Sequence, residues 1–140
     1  MTTTALGLAS ASPPDAGVVT GRPRLLLRAE GGVLLAAALA GFTATGQSWW
    51  LVPLMLFLPD LLMTGYLHST SVGALAYNLA HSYPAPAVLG GVALAVGADA
   101  ALAAALVWFA HIGMDRLLGY GLKHDDGFIH THLGVIGRRP

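Results

Sequence analysis

Cysteine is absent from this chain. That excludes disulfides, thiolate metal sites and cysteine nucleophiles, so any metal centre must draw on histidine and carboxylate ligands. Charge is scarce as well: 10% of the 140 residues are charged, where a soluble domain carries about one quarter. With 55% hydrophobic residues, the chain has too few polar groups to cover a water-facing surface, and part of its solvent must be lipid. The formal net charge is zero, so no basic balance points to a nucleic-acid partner. No Lys or Arg occurs between Ala29 and Asp115. Signatures of common catalysts are missing too: there is no phosphate-binding Gly-rich loop, no Gly-x-Ser-x-Gly elbow and no His-Glu-x-x-His pair.

What is present is organised around four apolar segments. Residues 1–24 read as a disordered N-terminal tail, because Met1 to Thr20 are rich in Thr, Ser, Ala, Pro and Gly. No positive charge precedes the weak apolar patch in this tail, so it is not read as a signal peptide. Arg22, Arg24 and Arg28 do precede an apolar run that ends near Ala38-Leu39-Ala40, but Glu30 inside it favours a retained helix. The segments run roughly from Leu25 to Thr45, Trp49 to Leu67, Val72 to Gly97 and Asp99 to Leu118. Each approaches the ~20 residues needed to cross the hydrocarbon core. Short polar connectors, Gly46-Gln47-Ser48 and His68-Ser69-Thr70-Ser71, make sequential helices antiparallel neighbours.

The predicted fold is therefore all-α: a polytopic membrane protein with four transmembrane helices over residues 25–120 in an antiparallel bundle. The third helix is predicted to kink at Pro84 and Pro86, where two backbone donors are lost, with two half-helices as the alternative. Small residues such as Gly31-Gly32 and Gly90-Gly91 permit close helix contact in lipid, or reflect only an alanine- and glycine-rich composition. The seven basic residues all lie before or early in the first helix, or at the end of the fourth and beyond. A basic excess marks the cytoplasmic side. Both termini are thus expected in the cytoplasm of a cell's inner or plasma membrane, with residues 121–140 as a cytoplasmic tail and Trp49-Trp50 at the outer interface.

Ionisable residues inside spans are costly, so each needs a partner or a purpose. Counted from the cytoplasmic boundary at 1.5 Å per residue, Asp60, His81 and His111 fall at roughly 12 Å, with Asn78, Asp115 and Glu30 at roughly 6 to 9 Å. His111 and Asp115 are four apart and share a helix face, as do Asn78 and His81 at three apart. Asp60 and Asp115 have few basic partners at that depth. They must be protonated, bonded to histidine or bound to a cation.

Three readings of this layer compete. It is a structural hydrogen-bond network, a metal site in which Asp60, His81, His111 and Asp115 hold a divalent ion such as Zn or Mn, or a proton or ion relay. In the tail, Lys123-His124-Asp125-Asp126 reads as a solvated loop. His130 and His132 are two apart, which suits a strand better than a helix. The tail either lies loosely on the headgroups or folds over the cytoplasmic mouth and adds a ligand.

Several segments in this order and spacing resemble the family catalogued as domain of unknown function 4260. They are Leu27-Arg28-Ala29-Glu30-Gly31, Phe57-Leu58-Pro59-Asp60-Leu61, Tyr77-Asn78 with His81-Ser82-Tyr83, His111-Ile112-Gly113-Met114-Asp115-Arg116, Gly119-Tyr120-Gly121-Leu122-Lys123 and Thr131-His132-Leu133-Gly134. The resemblance covers roughly Leu25 to Gly137 and implies a small polytopic membrane protein. It implies no catalytic residues. Pro59-Asp60, His111-x-x-x-Asp115 before Tyr120-Gly121, and Thr131-His132 are also similar in part to a family of membrane-bound metal-dependent hydrolases.

The sequence thus predicts a small integral membrane protein with a His/Asp cluster in the cytoplasmic half of the bundle. One version is a metal-dependent enzyme, hydrolase-like, whose bound cation activates water, with Glu30 and His132 as proton-transfer candidates. The other is a proton-coupled small transporter, which with four helices requires a homo-oligomer.

Overall fold

The computed structural model describes residues 17–137. Most of the predicted N-terminal tail, and Arg138 and Arg139, lie outside the described residues. The described chain is mostly helical. Helix α1 covers Gly21–Ala44, α2 Leu51–Leu56, α3 Thr70–Ala80, α4 Pro84–Val96 and α5 Asp99–Leu118, with a 3-10 helix over Pro59–Leu67 between α2 and α3. Three stretches are long and apolar enough to cross a membrane: α1, α5, and α3 with α4 taken end to end. Their outward faces carry large apolar side chains, including Leu25, Val33, Leu75, Val92 and Leu118.

Helix α5 is the centre of the arrangement, and α1, α2 and α4 all pack on it. Its contact with α1 is backbone on backbone. A Cβ at Gly31 would lie 2.8 Å from the Leu117 amide nitrogen, and one at Gly113 would lie 2.7 Å from that of Leu35. No side chain fits at either crossing point, so Gly31 serves contact, not mere composition. Toward the far end of the same pair, Phe42, Ala103 and Val107 form a buried apolar cluster capped by Leu51, Val52 and Met55.

The second and third segments depart from the expected single helices. Pro59 lacks an N–H and its ring disfavours continuing α2, so α2 stops and the chain tightens into a 3-10 helix of nine residues. That is long for this geometry. At about 2.0 Å rise per 3-10 residue and 1.5 Å per α residue, the two pieces span about 27 Å, close to the hydrocarbon thickness. The 3-10 helix lies against α3, where the ring of Tyr66 covers Gly73 and a Cβ at Gly65 would sit 3.2 Å from the Gly73 Cα.

The kink expected at Pro84 and Pro86 is instead a break at His81-Ser82-Tyr83. Both prolines sit in the first turn of α4, where their missing donors leave nothing unpaired. The carbonyls freed at the end of α3 find side-chain donors: Trp108 Nε1 donates to Ala80 O at 2.6 Å and Arg116 Nη2 to His81 O at 3.3 Å. Irregular backbone among apolar helices is tolerated where protein groups satisfy it.

After α5 the chain turns back sharply. Gly119 adopts φ +95°, with its N–H on Arg116 O and that of Tyr120 on Asp115 O, a glycine-ended helix stop. Asn78 then holds the Lys123 peptide from both sides, donating to Lys123 O at 2.9 Å and accepting from Lys123 N at 2.7 Å. Two short strands follow, β1 (His130–Thr131) and β2 (Gly134–Val135), paired antiparallel with His130 opposite Val135. This hairpin is not a loose tail: Thr131 and Leu133 are fully buried, and Val19 N donates to His132 O at 2.7 Å.

Candidate metal centre

Two irregular features and one regular helix converge on one point. The 3-10 helix brings Asp60 in its first turn, the break after α3 brings His81 at the helix end, and α5 brings His111 and Asp115 one turn apart. The Nε2 atoms of His81 and His111 are 2.9 Å apart. Asp60 Oδ1 lies 3.3 Å from the first and 3.7 Å from the second. Asp115 Oδ2 lies 3.6 Å and 3.9 Å from the same two atoms. Ligand atoms of Asp60, His81 and His111 all fall within 4.8 Å of one another.

The protonation pattern follows from the partners. His81 Nδ1 is 2.8 Å from the carbonyl oxygen of Tyr77, which only accepts, so Nδ1 carries the proton; whenever the ring is neutral, its lone pair is at Nε2. The Tyr77 ring stacks on the His81 ring at 3.6 Å, and its hydroxyl donates to Asp115 Oδ2 at 3.0 Å. A backbone carbonyl on the far nitrogen of a histidine is the usual way a ligating tautomer is fixed. His111 Nδ1 is buried and has no partner among the described residues.

These separations suit a cation. Ligands at 2.0–2.2 Å from an ion, subtending 90° to 109°, lie roughly 2.9 to 3.5 Å apart. The His–His and His81–Asp60 distances fall in that range, and the others exceed it by a few tenths of an ångström. Two imidazoles and two carboxylates match zinc, manganese or iron, and exclude sites that need soft sulfur. The opening is on the carboxylate side: the Asp60 side chain is 30% exposed, against 3% and 1% for His81 and His111.

That opening leads into a chamber of about 490 Å³ lined by Asp60, Tyr77, Asp115, Lys123 and apolar residues including Met63 and Met114. Lys123 is 5% exposed, so it is not the solvated residue its neighbours suggested. Its Nζ donates to Phe128 O at 2.9 Å and sits 3.3 Å from the Phe128 ring centroid and 4.6 Å from that of Tyr77. Burial pushes the ammonium down to about 8, against the pull of Asp115 and Asp60. Local sequence gave no signal for this position; the Gly119 reversal and the Asn78 clamp create it.

The two proton-transfer candidates lie elsewhere. Glu30 is exposed on α1. His132 sits beyond the cluster, where Leu122 N donates to its Nδ1 at 2.8 Å and Arg116 Nη1 lies 2.8 Å from its Nε2. Burial, and then the Arg116 guanidinium, hold the His132 imidazole below its ordinary value. Arg116 thereby ties the hairpin to the α3 break. Tyr77, whose carbonyl and hydroxyl orient two members of the cluster, is evident in sequence only as a residue four before His81.

Fold and site together define a mostly helical protein with long apolar helices and a buried His/Asp cluster at their irregular junction. The family described as Domain of unknown function (DUF4260) matches residues 24–136, and the chain belongs to it. No curated protein and no solved structure matches the chain.

Proposed function

We propose that this chain is a membrane-embedded metalloprotein with hydrolase-like chemistry. It crosses the membrane four times as an antiparallel bundle, both termini in the cytoplasm, and holds a divalent cation on Asp60, His81 and His111. The observation that carries the reading is the convergence of two histidine Nε2 atoms and a carboxylate oxygen within 4.8 Å, with His81 already in its ligating tautomer. Insertion is supported by the outward apolar faces of the long helices and by the absence of Lys and Arg between Ala29 and Asp115. Three protein ligands leave a coordination position for water, and a bound cation brings that water's pKa toward neutrality. Asp115, oriented by the Tyr77 hydroxyl, is placed to take the water's proton. With the cation bound, that proton would pass from Asp115 to the leaving oxygen as a substrate ester is cleaved by the water.

Metal per protein, measured on the detergent-purified chain and on His111→Gln, tests this reading. Stoichiometric zinc or manganese in the wild type and its collapse in the variant support it. Wild-type protein that holds no divalent ion under any supply refutes it and leaves a structural hydrogen-bond network. Reporter fusions test the topology: the termini and the His68–Ser71 loop should report cytoplasmic, and the loops at Gln47 and Asp99 external.

A further inference from the structure

A buried ammonium normally sits against a carboxylate, because an uncompensated charge away from water costs several kcal/mol. Lys123 touches no carboxylate among the described residues, although Asp115 and Asp60 attract it from the same chamber wall. Every ion pair among the described residues uses histidine as its basic member, and no carboxylate oxygen lies within 4.0 Å of Lys123 Nζ. Of its three N–H donors one is used, on Phe128 O. The aromatic rings of Phe128, Tyr77 and Tyr66 around it offset the burial only in part, since a ring face carries partial and not full negative charge. Two donors of a positive group are thus held at the wall of the chamber that Asp60 and Asp115 also line.

Apart from Tyr120, the remainder of that wall is apolar: Phe57, Met63, Met114, Leu118 and Ile136. A volume of about 490 Å³ lies within the range of small-molecule sites, about 300 to 1,000 Å³. A water-soluble anion would leave these walls unused, and a neutral lipid would leave the ammonium unanswered. We infer that the chamber binds a single-chain amphiphile with an anionic carboxylate or phosphate head, the head on Lys123 beside the His/Asp cluster and the chain along the methionine- and leucine-lined wall. The inference rests on the metalloprotein reading, for which it names the substrate class. Methionine suits such a wall, being flexible enough to follow chains of different shape.

The test uses three probes that share a sixteen-carbon chain: palmitate, hexadecyl phosphate and hexadecanol. Each is titrated into the full chain in nanodiscs of zwitterionic lipid, and bound probe per protein is counted by native mass spectrometry. One saturable site is expected, at least tenfold tighter for one of the two anions than for hexadecanol; which anion wins identifies the head. Lys123→Met should bring that anion down to the level of hexadecanol without moving hexadecanol. Met114→Trp, which fills the chamber from α5, should remove both. The wild-type comparison needs no variant to fold. Equal binding of all three probes by the wild type overturns the inference, and so does an anion preference that survives Lys123→Met. Repeating the titration after chelation separates the two readings. Anion preference in a chain that never holds metal supports the amphiphile site and defeats the metal reading; stoichiometric metal without any preference does the reverse.

Discussion

Helices α1 and α5 are long, unbroken and joined where glycine lets the two backbones touch. The 3-10 helix and the α3–α4 pair are short and broken, with Gly65 close against Gly73 at one contact and side chains bridging the break. The first pair places almost nothing polar between its members; the second places Asp60 and His81 at its two irregular points. The difference shows how a chain with so few charges builds a polar centre. Regular helices bury their own backbone groups and can be packed by small residues alone, whereas each interruption frees carbonyls that side chains must satisfy. Trp108 and Arg116 meet that need from α5, and the same break aims the His81 ring at His111.

The contrast is broken most severely at the glycine crossing. Gly31→Val puts a branched side chain where even a Cβ would lie 2.5 Å from Arg116 Cβ. It should cost about 3 kcal/mol or more, read as loss of monodisperse protein or a large fall in thermal midpoint in detergent. Gly91, with nothing within 4 Å of its absent Cβ, is the control: Gly91→Ala should be neutral or stabilise the helix by up to about 1 kcal/mol. Equal damage at both positions would mean that glycine matters for composition, not contact.

The break is tested more gently. Trp108→Phe keeps an aromatic side chain, smaller than the indole, and removes the donor to Ala80 O, leaving a buried carbonyl unpaired at a cost of about 1 to 3 kcal/mol. Differential scanning fluorimetry of the two proteins measures it. A variant as stable as wild type would show that the break is satisfied by other groups.

Much of this was legible in sequence. The last span was expected near Asp99 to Leu118, and α5 runs over those residues, because an uninterrupted apolar run leaves a chain in lipid little choice. Depth counting also grouped Asp60, His81 and His111, since charge burial confines such residues to a protein-facing layer. The 3-10 helix was not legible: its residues are as apolar as an α-helix needs, and Pro59, which stops α2, does not dictate the tighter winding that follows. The break before Pro84 was legible only as the second option, two half-helices, because choosing it over a kink depends on Trp108 and Arg116 being near to satisfy the freed carbonyls. Lys123 was misread for a related reason. Lys-His-Asp-Asp looks solvated in isolation, and burial of its first residue comes from Asn78, 45 positions away in sequence.

The mildest test concerns that lysine and pH. Its ordinary value is 10.5, and burial lowers it to about 8 in the folded chain. Below about pH 8 both folded and unfolded chains are protonated there, and the folded state carries the whole burial cost. Between about 8 and 10.5 the folded chain gives up the proton while the unfolded chain keeps it, so stability should rise with pH across that window. Asp60, Asp115, Tyr66 and Tyr77 are the other titratable groups around it, and they remain when it is replaced. Thermal midpoints in detergent from pH 7 to 10.5 should therefore rise less steeply for Lys123→Met than for wild type. Parallel curves would place the ammonium in water.

The central claim is that the two imidazoles which meet at 2.9 Å do so around a cation. X-ray absorption at the metal edge, on protein loaded with zinc or manganese and freed of excess, tests it most directly. One ion per chain is expected, with two imidazole ligands and oxygen donors, and His111→Gln should lose one imidazole signature together with most of the metal. A spectrum of oxygen ligands alone, or one unchanged by His111→Gln, would contradict it.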